Sequence, residues 1–150
     1  MLRSRFAVAA AAVLLAAAVA PAALRSETTT LRFFERAPND TVTDTGEKGD
    51  SVGDLLTFAN EVYDEKNVTK LGTDQGFCLR VNKGVSWECL WTLTLADGQI
   101  TVEGPFFDAG DSTLAITGGT GAYTSARGQM KLHARNAAGT EYDFAYEIVK

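Results

Sequence analysis

Residues 75–100 read QGFCLRVNKGVSWECLWTLTLADGQI, and they carry the clearest evidence for the fold class. Apolar and polar side chains alternate along it, and two turn sequences, Lys83-Gly84 and Asp97-Gly98, interrupt the alternation. Alternation of this kind is typical of strands that bury one face, and the dipeptides favour tight hairpin turns. The stretch therefore predicts three consecutive antiparallel strands.

The first turn sets the register of the first hairpin. With Lys83-Gly84 as a two-residue loop, Arg80 lies opposite Trp87 and Cys78 lies opposite Cys89. Because residues two apart in a strand share a face, these four side chains lie on the same side of the sheet. Two cysteines and a tryptophan indicate that this side is the interior.

The second turn extends the same interior face. With Asp97-Gly98 as the loop, Leu95 lies opposite Ile100 and Leu93 lies opposite Val102. The alternation then places Trp91, Leu93 and Leu95 on one face and Thr92 and Thr94 on the other.

The rest of the chain continues the strand pattern and shows little sign of helix. The predicted strands are Leu31–Phe34, Leu55–Asp64, Gln75–Val81, Trp87–Leu95, Ile100–Phe107, Ser112–Thr117, Gln129–Arg135 and Tyr142–Val149. About eight short strands with hairpin-length links predict an all-β fold, a small eight-stranded antiparallel β-barrel of lipocalin-like form; the alternative is a two-sheet sandwich. The cluster Gly118–Gly121 is interpreted as a tight turn, since a phosphate loop needs a following Lys-Ser/Thr that is missing here.

The N-terminus has the pattern of a secretory signal. Arg3 and Arg5 precede the uncharged run Phe6–Ala20, and Ala20-Pro21-Ala22 supplies small residues for a cleavage site. We expect a signal peptide over 1–22, cleavage near Ala22 and a secreted product; the alternative is an uncleaved anchor. The remainder divides into a polar segment, 23–51, with the first strand and a mobile loop, and the rest of the barrel, 52–150.

Charge and composition limit the partners. Without the two arginines of the leader the chain has 12 basic and 19 acidic residues, a net charge of −7. An acidic surface disfavours nucleic acid and anionic membranes as partners. We therefore expect no nucleic-acid partner and no membrane contact after cleavage.

The two cysteines, Cys78 and Cys89, have two interpretations. In an exported chain, two cysteines placed side by side by the register predict a disulfide; two free thiols are the alternative. A metal site is not expected, because His133 is the single histidine and no Cys-x-x-Cys spacing occurs. His133 is interpreted as a surface or rim residue.

Several segments resemble the plant allene oxide cyclases, in the same order along the chain. They are Gly53–Asp64, Leu71–Cys78, Trp87–Trp91, Ile100–Phe106, Leu114–Gly121 and Gly128–Leu132. The Gly-Gly-Thr-Gly cluster and Ala126-Arg127-Gly128 are also similar to the dirigent proteins, which share the barrel.

The resemblance implies a barrel with an apolar cavity, assembled as a homotrimer or homodimer. In the cyclases this cavity holds a flexible, unsaturated fatty-acid epoxide, and a Glu with a bound water favours epoxide opening and ring closure without a cofactor. The implied partner is therefore an apolar small molecule. The export signal differs from the plastid transit peptides of the plant enzymes and is typical of a bacterial secreted relative, so the substrate stays open.

The resemblance also implies individual site residues. Glu35, Asn60 and Cys78 match the catalytic positions, and Phe58, Trp87 and Phe106 match the aromatic residues of the pocket. Parity supports one pair, because Phe58 and Asn60 are two apart and face the same side of a strand. Two departures count against the plant reaction: Ala37 stands where the family has Asn, and a disulfide removes the thiol of Cys78.

Three functions remain open at this point. The first, which we favour, is a cofactor-free cyclase or isomerase in which Glu35 polarises the substrate. The second is a dirigent-like protein that steers a coupling made by another enzyme. The third is a barrel that binds a small molecule without chemistry.

Overall fold

A computed structural model describes residues 27–149, so the predicted signal peptide lies outside the described residues. The chain forms nine strands and no helix in this range. They are β1 (Thr28–Arg36), β2 (Thr41–Thr43), β3 (Leu55–Tyr63), β4 (Lys70–Asn82), β5 (Ser86–Leu95), β6 (Gly98–Phe107), β7 (Ser112–Gly121), β8 (Arg127–Ala134) and β9 (Glu141–Val149). No helix long and apolar enough to cross a membrane occurs between residues 27 and 149.

The strands form a closed antiparallel barrel. Strands β3 to β9 pair in chain order, β9 pairs with β1, and β1 pairs with β3 to close the ring. The short β2 adds to the edge of β3. The prediction of an eight-stranded barrel is confirmed, and the sandwich is excluded because a single sheet closes on itself.

The closure leaves a seam in the barrel wall. Strand β1 pairs with β3 over three residues, at Glu61–Tyr63, and β2 pairs with β3 at Leu55–Thr57. The three residues of β3 between these ranges, 58–60, therefore lie at the gap where the chain leaves β1 for β2. Two of the predicted site residues, Phe58 and Asn60, belong to this gap.

The register of the first hairpin is confirmed, and that of the second is wrong by two residues. Cys78 lies opposite Cys89 as predicted. In the second hairpin Leu95 pairs with Gly98, not with Ile100, because the loop is Ala96-Asp97. Gly98 belongs to β6, where a Cβ would lie 2.2 Å from the carbonyl oxygen of Thr120. A shift of two residues keeps each side chain on its predicted face.

The interior of the barrel is filled mainly by apolar side chains of the inward faces. Fully buried examples are Val62, Leu93, Ile100, Val102, Leu114, Met130 and Tyr146. Each fully buried aliphatic side chain of this kind contributes roughly 1.5–3 kcal/mol to stability. The interior is therefore a packed core over much of its length, which leaves little space for a ligand.

Two segments differ from the sequence predictions. The segment predicted as a mobile loop contains β2, and Asp54 fixes its end by accepting hydrogen bonds from the backbone amides of Thr45 and Ser51. The predicted glycine turn is the end of strand β7. Gly119 is required there because a Cβ would lie 2.4 Å from the carbonyl oxygen of Tyr123.

Candidate active site

Glu35 and Asn60 meet at the seam of the barrel. Glu35 on β1 pairs with Val62 on β3, and Asn60 lies two residues from Val62 on the same inward face. Such diagonal neighbours are within reach of long side chains. Nδ2 of Asn60 donates to Oε1 of Glu35 at 2.8 Å, and both side chains are buried. Sequence reasoning placed these two residues in one site, and the structure brings them together.

Burial changes the proton affinity of Glu35. Desolvation raises the pKa of the Glu35 carboxyl to about 7, against the lowering effect of the Asn60 hydrogen bond. A carboxyl in this range holds its proton about half the time at neutral pH, which suits a group that both accepts and returns a proton.

Two further carboxyl groups complete the polar cluster. Asp40, in the connection between β1 and β2, accepts a hydrogen bond from Nδ2 of Asn60 at 2.8 Å. Burial also raises the pKa of Asp40. Asp74 lies directly opposite Asn60 on β4 and is 1 % exposed. Sequence reasoning did not identify Asp40 or Asp74, although the alternation that places Cys78 inside also places Asp74 inside.

A small cavity opens beside Glu35. It offers about 30 Å³ to the centre of a water-sized sphere, and the whole recess with its open mouth spans about 330 Å³. The enclosed part has room for about two water molecules. The lining consists of Glu35, Asp40, Leu56, Phe58, Cys78, Trp91, Phe106, Leu132, Tyr142 and Phe144. This lining contains two carboxyl groups and no basic side chain.

Aromatic side chains make up five of the ten residues that line the cavity. The rings of Trp91 and Phe144 lie 6.1 Å apart at 30°, and those of Phe144 and Tyr142 lie 6.4 Å apart at 22°. Phe58 meets Trp91 edge to face at 5.8 Å. Phe58 and Phe106 are partly exposed at the mouth. The cavity is therefore lined largely by aromatic rings, with the Glu35 carboxyl among them.

Gly76 permits the contact between Phe58 and Trp91. It lies between these two residues in the sheet, paired with Phe58 on β3 and with Trp91 on β5. A Cβ at this position would lie 2.3 Å from the Cβ of Trp91. The glycine therefore lets the two rings meet across β4.

Cys78 lines the cavity but has no thiol. It forms a disulfide with Cys89, which decides between the two interpretations of the cysteine pair. The expectation of a catalytic thiol at Cys78 is therefore wrong for this state of the protein. The bridge joins two neighbouring strands within the wall of the cavity.

Trp87 lies opposite Phe106 on the inward face but does not line the cavity beside Glu35. Its ring packs under Arg80, with the guanidinium carbon 3.9 Å from the ring centroid. Arg80 is buried and forms ion pairs with Asp50 and Asp108, both at 2.7 Å. Trp87 borders a separate recess with Asp50, Asp54 and Arg80. The alternation correctly predicts that Trp87 points into the barrel, but its ring lies beside the ion pairs of Arg80 and not beside Glu35.

Among residues 27–149, the single histidine takes no part in the polar cluster around Glu35. His133 is exposed and pairs with Asp111 at 2.7 Å, as expected for a surface residue. Within residues 27–149, no three His, Cys, Asp or Glu side chains are arranged to hold a metal ion.

Solved structures share the barrel. The chain is similar to pyocyanin demethylase, with 26% identity and a TM-score of 0.67 over 77% of this chain and 98% of that one. It is also similar to the pterocarpan synthase dirigent protein GePTS1, at 16% identity and a TM-score of 0.64 over 85% and 86% of the two chains. The Diels–Alderase AbmU from Streptomyces koyangensis matches at 13% identity and a TM-score of 0.66, over 85% and 70%.

A comparison of the sequence with a family model identifies the family of the chain. The sequence model of the allene oxide cyclases matches residues 32–137, which include Glu35, Asn60 and the whole cavity lining up to Leu132. The match agrees with the expectation of an intramolecular isomerase or cyclase. The chain belongs to the allene oxide cyclase family.

Proposed function

We propose that this protein is a cofactor-free isomerase or cyclase that binds an apolar, unsaturated small molecule in the recess at the barrel seam. The observation that carries the proposal is the buried Glu35 carboxyl, which lines an aromatic cavity and is held by Asn60 at 2.8 Å. An isomerisation needs one group that takes a proton and gives it back, and needs no oxidant or cofactor.

Glu35 acts as the acid and base of this reaction. Since burial raises the pKa of Glu35 to about 7, both protonation states are available near neutral pH. The hydrogen bond from Asn60 fixes the orientation of the carboxyl before substrate arrives, and a group positioned in advance loses little entropy during the reaction. The dry aromatic wall strengthens the interaction of the carboxyl with developing charge.

The aromatic rings that line the cavity restrict the conformation of the substrate. The near-parallel rings of Tyr142, Phe144 and Trp91 favour a folded or planar conjugated system. The enclosed space is small, so substrate entry requires Phe58 and Phe106 to rotate away from the mouth, where both are partly exposed. Restricting a flexible chain to one reactive conformation supplies much of the acceleration that such a barrel can give.

An unsaturated fatty-acid allene oxide generated in solution tests this proposal. Uncatalysed ring closure in water gives a racemic cyclopentenone, so an enantiomeric excess measured by chiral chromatography reports cyclisation inside the protein. We expect an excess with the wild-type chain and its loss with Glu35→Gln. A racemic product at the uncatalysed rate would contradict cyclisation of this substrate. Binding of the probe without turnover would favour the dirigent-like or non-catalytic function.

The similarity to pyocyanin demethylase favours a second candidate function, the binding and N-demethylation of a planar heteroaromatic compound. The lining has carboxyl groups and no basic side chain, which suits a ring that carries positive charge on nitrogen. Pyocyanin itself is the probe. The step balances if water supplies the oxygen of formaldehyde and the heteroaromatic ring itself takes up the two electrons that leave the methyl carbon. Release of formaldehyde together with the reduced, demethylated ring would support this function, and quenching of the tryptophan fluorescence without product would indicate binding alone.

We also propose that the barrel assembles with further copies of itself, as a homotrimer or homodimer. Exposed apolar side chains cluster on the outer face of β4 and β5, where Phe77 lies opposite Leu90 and Leu79 is close by. Contiguous exposed apolar surface is typical of an interface. Sedimentation of the wild-type chain and of Leu79→Lys tests this; a wild-type monomer would contradict it.

Secretion stays a prediction, which mass spectrometry of the mature N-terminus tests.

A further inference from the structure

Asp74 is a buried carboxyl in contact with Glu35. It lies on the inward face of β4 opposite Asn60, which donates to Glu35 from the strand between them, so the two carboxyl groups converge and each shifts the pKa of the other through a side-chain hydrogen bond. Both groups are almost completely removed from water, with 1 % of Asp74 and 4 % of Glu35 exposed. Two buried carboxyl groups in contact interact strongly, so they exchange protons as a pair.

The hydrogen-bonding pattern around Asp74 is incomplete unless the pair holds a proton. Among the described residues, neither Oδ1 nor Oδ2 of Asp74 receives a hydrogen bond from an N–H or O–H donor. A buried, ionised carboxylate without a donor is costly, and a second ionised carboxylate beside it adds repulsion. One proton between Asp74 and Glu35 supplies the missing donor and removes one of the two charges.

In the described part of the chain, no positively charged side chain acts on Asp74, so none can replace the proton in neutralising the pair of carboxyl groups. The charged groups acting on Asp74 are Glu35 from β1 and Asp40 from the connection to β2, and both raise its pKa. From β9, the hydroxyl of Tyr146 faces the same region and accepts a hydrogen bond from Nε1 of Trp91 at 3.4 Å. Glu35 has a side-chain donor in Asn60, whereas no side chain between residues 27 and 149 donates to Asp74, and the weak contact of its own backbone amide, which lowers its pKa, has the smallest effect of the groups that act on it. The proton is therefore best placed on Asp74.

We propose that Asp74 is a positioning residue that holds the shared proton and donates it in a hydrogen bond to Glu35. Asn60 and Asp74 then hold the Glu35 carboxyl from two sides, and Glu35 stays available to the cavity as a base. The effect of Asp74 on turnover rests on the proposed function, whereas the shared proton does not require any substrate.

The pH dependence of unfolding locates the proton. A proton bound in the folded state and absent from the unfolded state changes the unfolding equilibrium tenfold per pH unit, towards unfolding as pH rises. The measurement is urea unfolding of the full chain near pH 8, where Glu35 is largely ionised. The variants are Asp74→Asn, which keeps a donor but cannot ionise, and Glu35→Gln. The control is Glu103→Gln, an exposed position on β6.

The proposal predicts a different slope for each variant. Near pH 8, wild type, Glu35→Gln and Glu103→Gln should each lose stability as pH rises, with the unfolding equilibrium changing by up to about tenfold per pH unit, and Asp74→Asn should lose much less. A slope lost in Glu35→Gln and kept in Asp74→Asn would place the proton on Glu35 and overturn the proposal. A wild-type slope near zero would overturn it as well.

A second measurement covers the case in which Asp74→Asn does not fold. In the wild-type chain labelled with ¹³C at aspartate carboxyls, one resonance should keep the position of a protonated acid at pH 7, and should keep it in Glu35→Gln. Ionised positions for all aspartates would overturn the proposal. Because neither measurement uses a substrate, both distinguish the shared proton from a failure of the proposed activity.

Discussion

Nδ2 of Asn60 donates to Oε1 of Glu35 at 2.8 Å, across the three-residue contact that closes the barrel between β1 and β3. The same nitrogen donates to Asp40 in the connection that leaves β1. The site therefore depends on the closure of the barrel, since Glu35 comes from one side of the seam and Asn60 from the other.

Replacing Glu35 with Gln should remove proton transfer and keep the fold. The amide oxygen of Gln can still accept the hydrogen bond from Asn60, but the group no longer titrates. We expect a loss of about 10²- to 10⁴-fold in kcat on an identified substrate, the usual contribution of a general acid or base. The control is Glu103→Gln, which should keep wild-type kcat. Full activity in Glu35→Gln would exclude the acid–base role.

Glu35 should make the protein less stable as pH rises from mildly acidic to neutral. Its pKa in the folded state is about 7, above the unfolded value of about 4.3, so the folded state binds the proton more tightly. The stabilisation is present below the unfolded pKa and is lost as pH rises through about 7. The shift corresponds to a loss of up to about 3–4 kcal/mol. Urea unfolding across this range should show the loss, and Glu35→Gln should reduce it.

The disulfide should contribute to stability and not to chemistry. The double variant Cys78→Ala, Cys89→Ala loses a bridge that closes a loop of sequence separation 11, which costs about 2–3 kcal/mol. We expect a lower urea midpoint and unchanged kcat. Loss of turnover in a folded double variant would show that a sulfur atom takes part in the reaction.

Gly76→Ala should disturb both the wall of the cavity and the stability of the barrel. The added Cβ would lie 2.3 Å from the Cβ of Trp91 and 2.4 Å from the carbonyl oxygen of Leu90, so β4 must move. Overpacking of this kind costs about 1–3 kcal/mol. Gly118→Ala is the matched control, because nothing lies within 4 Å of its Cβ position. Equal thermal stability of the two variants would contradict this description of the wall.

Much of the fold could be predicted from local patterns. The alternation over residues 75–100 correctly predicts which side chains point into the barrel. This holds even for the second hairpin, because its predicted register is wrong by two residues and an even shift leaves each side chain on the same face. The turn was assigned incorrectly because a glycine is compatible both with a hairpin loop and with a close approach of two strands. In this chain Gly98 lies in β6 and allows the backbone of Thr120 to approach closely.

The candidate site was less accessible to sequence reasoning. Glu35 and Asn60 were named from family resemblance, whereas their hydrogen bond depends on the β1–β3 closure, which joins residues far apart in the chain. Asp74 was missed because the strand was predicted to begin at Gln75; one more residue of alternation would have placed this acid inside. Asp40 lies in a connection without periodicity, so no local signal indicates its contact with Asn60.

Titration of the Glu35 carboxyl carbon by ¹³C NMR, in the wild-type chain without ligand, measures directly whether burial raises the pKa of this group. We expect a midpoint near 7, and a higher midpoint in Asn60→Ala, because the Asn60 hydrogen bond lowers the pKa of Glu35. Asn39→Ala, at an exposed position, should leave the midpoint unchanged. A wild-type midpoint near 4.3, the value of an unperturbed glutamate, would contradict the central claim that burial prepares Glu35 for proton transfer.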